Sequence, residues 1–112
     1  MESVRQQKVA RLLQKELAEI FRLESKLHYQ GALISVTTVR VAPDMSFAKV
    51  YLSFFMAKEI DALFEKINEA KWDIRKKVAA RTKGQLRVIP ELAFYIDDSL
   101  DYAAKIDELL KK

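Results

Sequence analysis

Seven cations, Lys71, Arg75, Lys76, Lys77, Arg81, Lys83 and Arg87, fall within residues 71–87, where Asp73 is the one acid. Side chains of this kind neutralise phosphates and release the counterions condensed on a polyanion. Across the rest of the 112-residue chain acids slightly outnumber bases, so the formal net charge of +4 comes from one concentrated block. A one-signed run this dense sets up a local field that draws polyanions, although a solvated helix face is the plainer reading of any single lysine in it.

Trp72, the one tryptophan, lies inside this block. With about 100° between successive residues of a helix, it falls beside Lys76 and Lys83 and off the apolar stripe. An indole there could stack an unpaired base beside phosphate-binding lysines. The commoner role of a tryptophan is packing, and the expectation is that Trp72 packs at the helix edge and fills a bend. Tyr51 and Phe55 could likewise stack bases, with core packing the commoner role.

Other chemistry is sparse. There is no cysteine, which excludes disulfides, thiolate zinc sites and thiol nucleophiles, and His28 is the one histidine. Asp97, Asp98 and Asp101 could be read as hard-metal ligands. More simply, they sit at a strand end and a helix N-terminus, where the helix dipole favours carboxylates. Asp44 belongs first to a turn. No Gly-rich phosphate loop, nucleophile elbow or acid/base pair is present. The expectation is therefore no enzyme, no catalytic residue, no metal and no cofactor. No apolar run approaches the roughly 18 residues of a membrane span, and no signal peptide opens the chain, so a cytoplasmic location is expected.

The elements that must position these residues follow from periodicity. From Ser3 to Leu23, Val9, Leu12, Leu13, Leu17, Ile20 and Phe21 recur at helical spacing. Ser3 reads as N-cap, with Gln6 as its capping-box partner. Lys8, Arg11, Lys15 and Arg22 form a basic stripe on the opposite face, with Arg5 at its edge and Glu19 diluting it. After Gly31, residues 33–41 are rich in Val, Ile and Thr and read as a strand. Pro43-Asp44-Met45-Ser46 is a turn, and 47–55 is a second strand with Ala48, Val50, Leu52 and Phe54 on one face. Ile60, Leu63, Phe64, Ile67, Ile74 and Val78 mark a helical stretch. Within it Lys71 falls in the stripe and Trp72 off it, which reads as a kink at Ala70, Lys71 and Trp72 or as a partly exposed Trp72. Gly84 closes the stretch as a C′ residue. Pro90 leads into a third strand, 91–97, and Ser99 or Asp98 caps a last helix with Ala103, Ile106, Leu109 and Leu110.

The order α-β-β-α(kinked)-β-α over residues 1–112 gives a single α+β domain, a two-layer sandwich with a three-stranded sheet. The third strand can join the hairpin in parallel through the helical crossover.

Three stretches in this order and spacing resemble the ribosome-binding factor A family. They are Val9-Ala10-Arg11-Leu12-Leu13-Gln14-Lys15-Glu16-Leu17, the hairpin from Ser35 to Ser53 that closes on Ala48-Lys49-Val50-Tyr51-Leu52-Ser53, and Ile74-Arg75 followed by Leu86-Arg87-Val88-Ile89-Pro90-Glu91-Leu92 and Phe94 to Ser99. The resemblance implies a KH-like fold of type II, in which an Ala-x-Gly kink replaces the Gly-x-x-Gly loop. Here Ala70-Lys71-Trp72 stands at the kink, with Trp in the glycine's place. It also implies a monomeric assembly factor that binds the free 30S subunit through 16S ribosomal RNA near its 5′-terminal helix region and supports late maturation and rRNA processing.

The residues expected to face RNA are Arg75, Lys76, Lys77, Arg81, Lys83 and Arg87, with Lys8, Arg11 and Lys15 as a secondary set. No membrane and no small-molecule substrate is expected as a partner. The alternative is a small α+β protein-protein interaction domain without RNA binding, using an apolar strand face and the acidic tail.

Overall fold

The computed structural model describes residues 2–55 and 57–97. Elements run α1 (Val4–His28), β1 (Leu33–Val41), β2 (Phe47–Phe55), α2 (Ile60–Glu69), α3 (Lys71–Arg81) and β3 (Glu91–Ile96). The last helix expected from the sequence, at Ser99–Leu110, lies outside the described residues.

The Ser3 hydroxyl accepts from the Gln6 backbone N–H at 3.1 Å, and the Gln6 side chain accepts from the Ser3 N–H at 2.7 Å. This capping box satisfies donors that the first turn would otherwise leave open. α1 runs on to His28, five residues past the end read from its apolar pattern. In that extra stretch Leu27 is 82% exposed, so no buried face marks it in the sequence. It is closed instead by Ser25, whose carbonyl accepts from Tyr29 and Gly31 N–H, both at 2.9 Å. Gln30 and Gly31 then take positive φ, 56° and 75°, the left-handed geometry that turns a chain out of a helix. Tyr29 is buried, 6.0 Å from Phe21 ring to ring, and burial raises its phenol pKa.

β1 and β2 pair antiparallel with Arg40 opposite Lys49 and Val41 opposite Ala48, and a bulge lies between Val36 and Thr38. In the turn, the Asp44 carboxylate accepts from the Ser46 N–H at 3.0 Å and from its hydroxyl at 2.6 Å. Both bonds favour the ionised form and hold the Asp44 pKa below the ordinary carboxylate value. β3 adds to the other edge of β2, parallel to it, giving the order β1-β2-β3.

The helices cover one face of this sheet. Leu13, Leu17, Ile20 and Phe21 of α1, Leu63 and Ile67 of α2 and Ile74 and Val78 of α3 close over Val50, Leu52, Leu92 and Phe94. This is the two-layer α+β sandwich of the KH-like order. Two polar side chains tie α1 to β1. Buried Gln6 donates to the Val41 carbonyl and Gln14 to that of Val36, each at 2.9 Å. Sequence periodicity had set Leu12 and Val9 in the core; both are only partly buried, and Gln6 is buried in their stead.

Candidate nucleic-acid interface

α2 and α3 meet at Ala70, the C-cap of one helix and the N-cap of the other. Its φ of −88° and ψ of 8° lie in the bridge region, open to any L-residue. Positive φ among the described residues is confined to Gln30, Gly31, Met45 and Gly84, so the junction turns without needing a glycine at position 72. α3 ends at Arg81. Thr82, fully buried, is its C-cap and returns its hydroxyl to the Val78 carbonyl at 2.8 Å. Gly84, read as the C′ residue, lies one position further on, with φ 87°.

The structure divides the basic block in two. Arg81 reaches from α3 to α1, where its Nε donates to Glu16 at 2.6 Å, and Lys77 pairs with Glu24 on the same helix. Arg75 turns the other way. Its guanidinium donates to the Ile89 carbonyl at 2.6 Å and lies 5.5 Å from the centre of the Trp72 ring. Three of the six residues expected to face RNA therefore hold α3 to its neighbours. Lys76, Lys83 and Arg87 are exposed, and none has a carboxylate partner among the described residues; the same is true of half-buried Lys71.

Trp72 departs from the packing expectation: its side chain does not fill the bend but stands 68% exposed. On α3 it shares the outward face with Lys76, because the inward positions are taken by Ile74 and Val78; Lys83, which helical spacing sets beside it, lies past the C-cap Thr82.

The secondary set on α1 is exposed throughout: Lys8, Arg11 and Lys15 have no carboxylate partner among the described residues, whereas Arg22 is paired with Glu19. That ion pair lowers the Glu19 pKa and raises that of Arg22. Folding brings part of this set to the main block. Arg5 and Lys8 share a groove of about 650 Å³ with Arg87, walled by the Pro43–Ser46 turn and by Gln85–Val88. The groove's one carboxylate, Asp44, is already bonded to Ser46. Arg5 had been read only as the edge of the α1 stripe. Its place beside Arg87 comes from β3 returning parallel to β2, with Glu91 N–H bonded to the Ser46 carbonyl at 3.0 Å.

Little else in the structure suggests chemistry. His28 ends α1, exposed, and its carbonyl faces Lys66 Nζ at 3.5 Å. Asp97 accepts from the Thr37 hydroxyl at 2.5 Å; Asp98 and Asp101 lie outside the described residues. Among the described residues no group of three or more His, Asp or Glu is placed to hold a metal ion, and no helix is long and apolar enough to cross a membrane.

An unpartnered cationic surface of this kind fits a phosphate backbone, which is recognised by charge and shape rather than by base reading. Comparison with known proteins adds the family. Residues 5–110 match the family model described as ribosome-binding factor A. The ribosome-binding factor A of Cytophaga hutchinsonii is 46% identical over 112 residues, spanning 100% of this chain and 84% of the relative. The crystal structure of the Thermus thermophilus factor superposes with a TM-score of 0.66 at 23% identity, over 81% of this chain and 94% of that one, which establishes the fold. A homology model of the Thermus factor, fitted into the cryo-EM map of its complex with 30S, gives a TM-score of 0.61 at 25% identity over 78% and 89% of the two chains.

Proposed function

This chain belongs to the ribosome-binding factor A family, and from that premise we propose that it is a non-catalytic assembly factor of the small ribosomal subunit. It binds the free 30S particle through 16S ribosomal RNA near the 5′-terminal helix region and supports late maturation and rRNA processing in the cytoplasm. One observation carries the reading beyond the family name. Among the described residues several cations have no carboxylate partner: Arg5, Lys8 and Arg87, which come from distant parts of the chain to line one groove, Lys76 on the outer face of α3, and Lys83 in the turn beyond it. Fixed positive charge of this kind suits the phosphates of a folded RNA, and phosphate contacts position a protein on its target. The Thermus relative fitted into a 30S complex lends the same direction.

Co-sedimentation tests it. The protein is expected to travel with free 30S subunits at moderate salt and to leave them as salt rises. Protein that stays at the top of the gradient at every salt concentration contradicts the reading.

A second reading, a protein-interaction domain, draws on the face of the sheet that the helices leave open. Leu33, Phe47, Phe55 and Tyr95 are exposed there, and Tyr51 stacks on Tyr95 with ring centroids 5.4 Å apart. Binding through that face would depend little on salt, so the same experiment separates the two.

A further inference from the structure

We propose that Trp72 and Arg75 form a stacking site for an unpaired RNA base. The proposal rests on the RNA-binding reading and adds to it the state of the nucleotide that is held.

Packing does not account for where Trp72 stands. Apolar burial favours covering an indole, yet this one is 68% exposed on a helix whose inward positions belong to Ile74 and Val78. What does touch the ring is a cation. The Arg75 guanidinium lies 5.5 Å from its centroid, within the range of a cation–π contact. Arg75 is itself held, by its 2.6 Å bond to the Ile89 carbonyl, and its Nε is buried without a partner among the described residues. A planar cation and an aromatic ring fixed in this way need little ordering when a third flat group joins them, which favours binding.

The surroundings suit a nucleotide. Trp72 and Arg75 share the wall of a hollow of about 500 Å³ with Asn68, Lys71 and Ser46. The amide and hydroxyl can meet the edge of a base, and the ammonium can meet its phosphate. Glu91, at the same hollow, disfavours a second phosphate there and so favours a single splayed base over a continuous backbone track. Lys76, on the same outer face as Trp72, is placed for a flanking phosphate. A base inside a duplex is already stacked and hides its faces, so the indole can add nothing to duplex binding. Trp72 therefore acts as a selector for a loop, a bulge or a single-stranded end.

Trp72 is the one tryptophan of the chain, so its fluorescence reports the site directly. The full chain is titrated with a labelled single-stranded oligoribonucleotide and with a duplex of equal length, following tryptophan emission and label anisotropy together. Single strands are expected to quench Trp72 on binding, and the duplex to bind without quenching. Trp72→Ala is expected to weaken single-strand binding about tenfold while leaving the duplex unchanged, with Trp72→Phe keeping most of the affinity. Single strands that bind with no quenching and equal affinity for Trp72→Ala overturn the stacking site and leave the RNA reading standing. An equal loss on both RNAs overturns the selection of unpaired bases. Failure of both RNAs to bind the unmodified protein overturns the RNA reading itself, and this proposal with it.

Discussion

The two sides of α3 carry the same residue types and do different work. On the inner side Lys77 and Arg81 meet Glu24 and Glu16 of α1, and Arg75 on the flank meets the Ile89 carbonyl. On the outer side Lys76 meets solvent beside an exposed Trp72, and Lys83 is exposed in the turn that follows the helix. A cation with a carboxylate a few ångströms away presents little field to a distant phosphate. A cation without one presents nearly all of its field. Charge counted along a sequence therefore overstates the charge a partner meets, and the surplus is found by asking which cations already have an acid.

The largest effect is expected where both sides share one floor. Ile74→Ala removes a fully buried side chain beneath α3 and is expected to cost about 2–5 kcal/mol, read as a fall in the urea midpoint at unchanged slope. Loss of less than about 1 kcal/mol would mean that α3 is not fixed to the sheet there, and the comparison of its two sides would lose its basis.

A smaller effect sharpens the inner side. Arg81→Ala and Glu16→Ala, singly and together, are expected to give a coupling energy of about 0.5–1 kcal/mol, since both side chains keep some exposure. No coupling would reduce that contact to a coincidence of geometry, and Arg81 would count again among the free cations.

The smallest effect lies at the groove. The Asp44 pKa is depressed by its two bonds from Ser46. A depressed carboxylate contributes stability that is present above its ordinary pKa and is lost as pH falls through the folded-state value. The gap in Tm between the unmodified chain and Asp44→Ala is therefore expected to be constant at neutral pH and to close below about pH 4. A gap that stays open in acid would assign the stabilisation to something other than the charged carboxylate.

Much of the fold is legible in the sequence because its signals are local. The Ser3–Gln6 box, the alternation through 47–55 and the Pro43–Ser46 turn each involve residues within a few positions of one another, and the structure has all three. The interface is less legible. Lys77 and Glu24 are 53 positions apart, and Arg81 and Glu16 are 65 apart, so no helical wheel of one element could show that α1 would neutralise part of α3. Arg5 and Arg87 come to line one groove through the return of β3 beside β2. The extra length of α1 was hidden for a different reason: its last residues carry no apolar stripe, and the helix is closed by the backbone bonds of Tyr29 and Gly31 to Ser25. Trp72 was placed correctly off the stripe by its spacing. Its exposure is one of two readings the spacing leaves open; its contact with an Arg75 held at Ile89 is not legible, since Ile89 lies outside α3.

The expectation is that the unpartnered cations, and not the basic block as a whole, meet RNA. It is tested most directly by the salt dependence of binding to free 30S subunits for two double variants, Lys76→Ala with Lys83→Ala and Lys77→Ala with Arg81→Ala. The outer pair is expected to lower the slope of log affinity against log salt by about one for each lysine that meets a phosphate. The inner pair is expected to leave that slope unchanged and to lower stability instead. Equal loss of slope in both variants, or loss in the inner pair alone, would contradict the account.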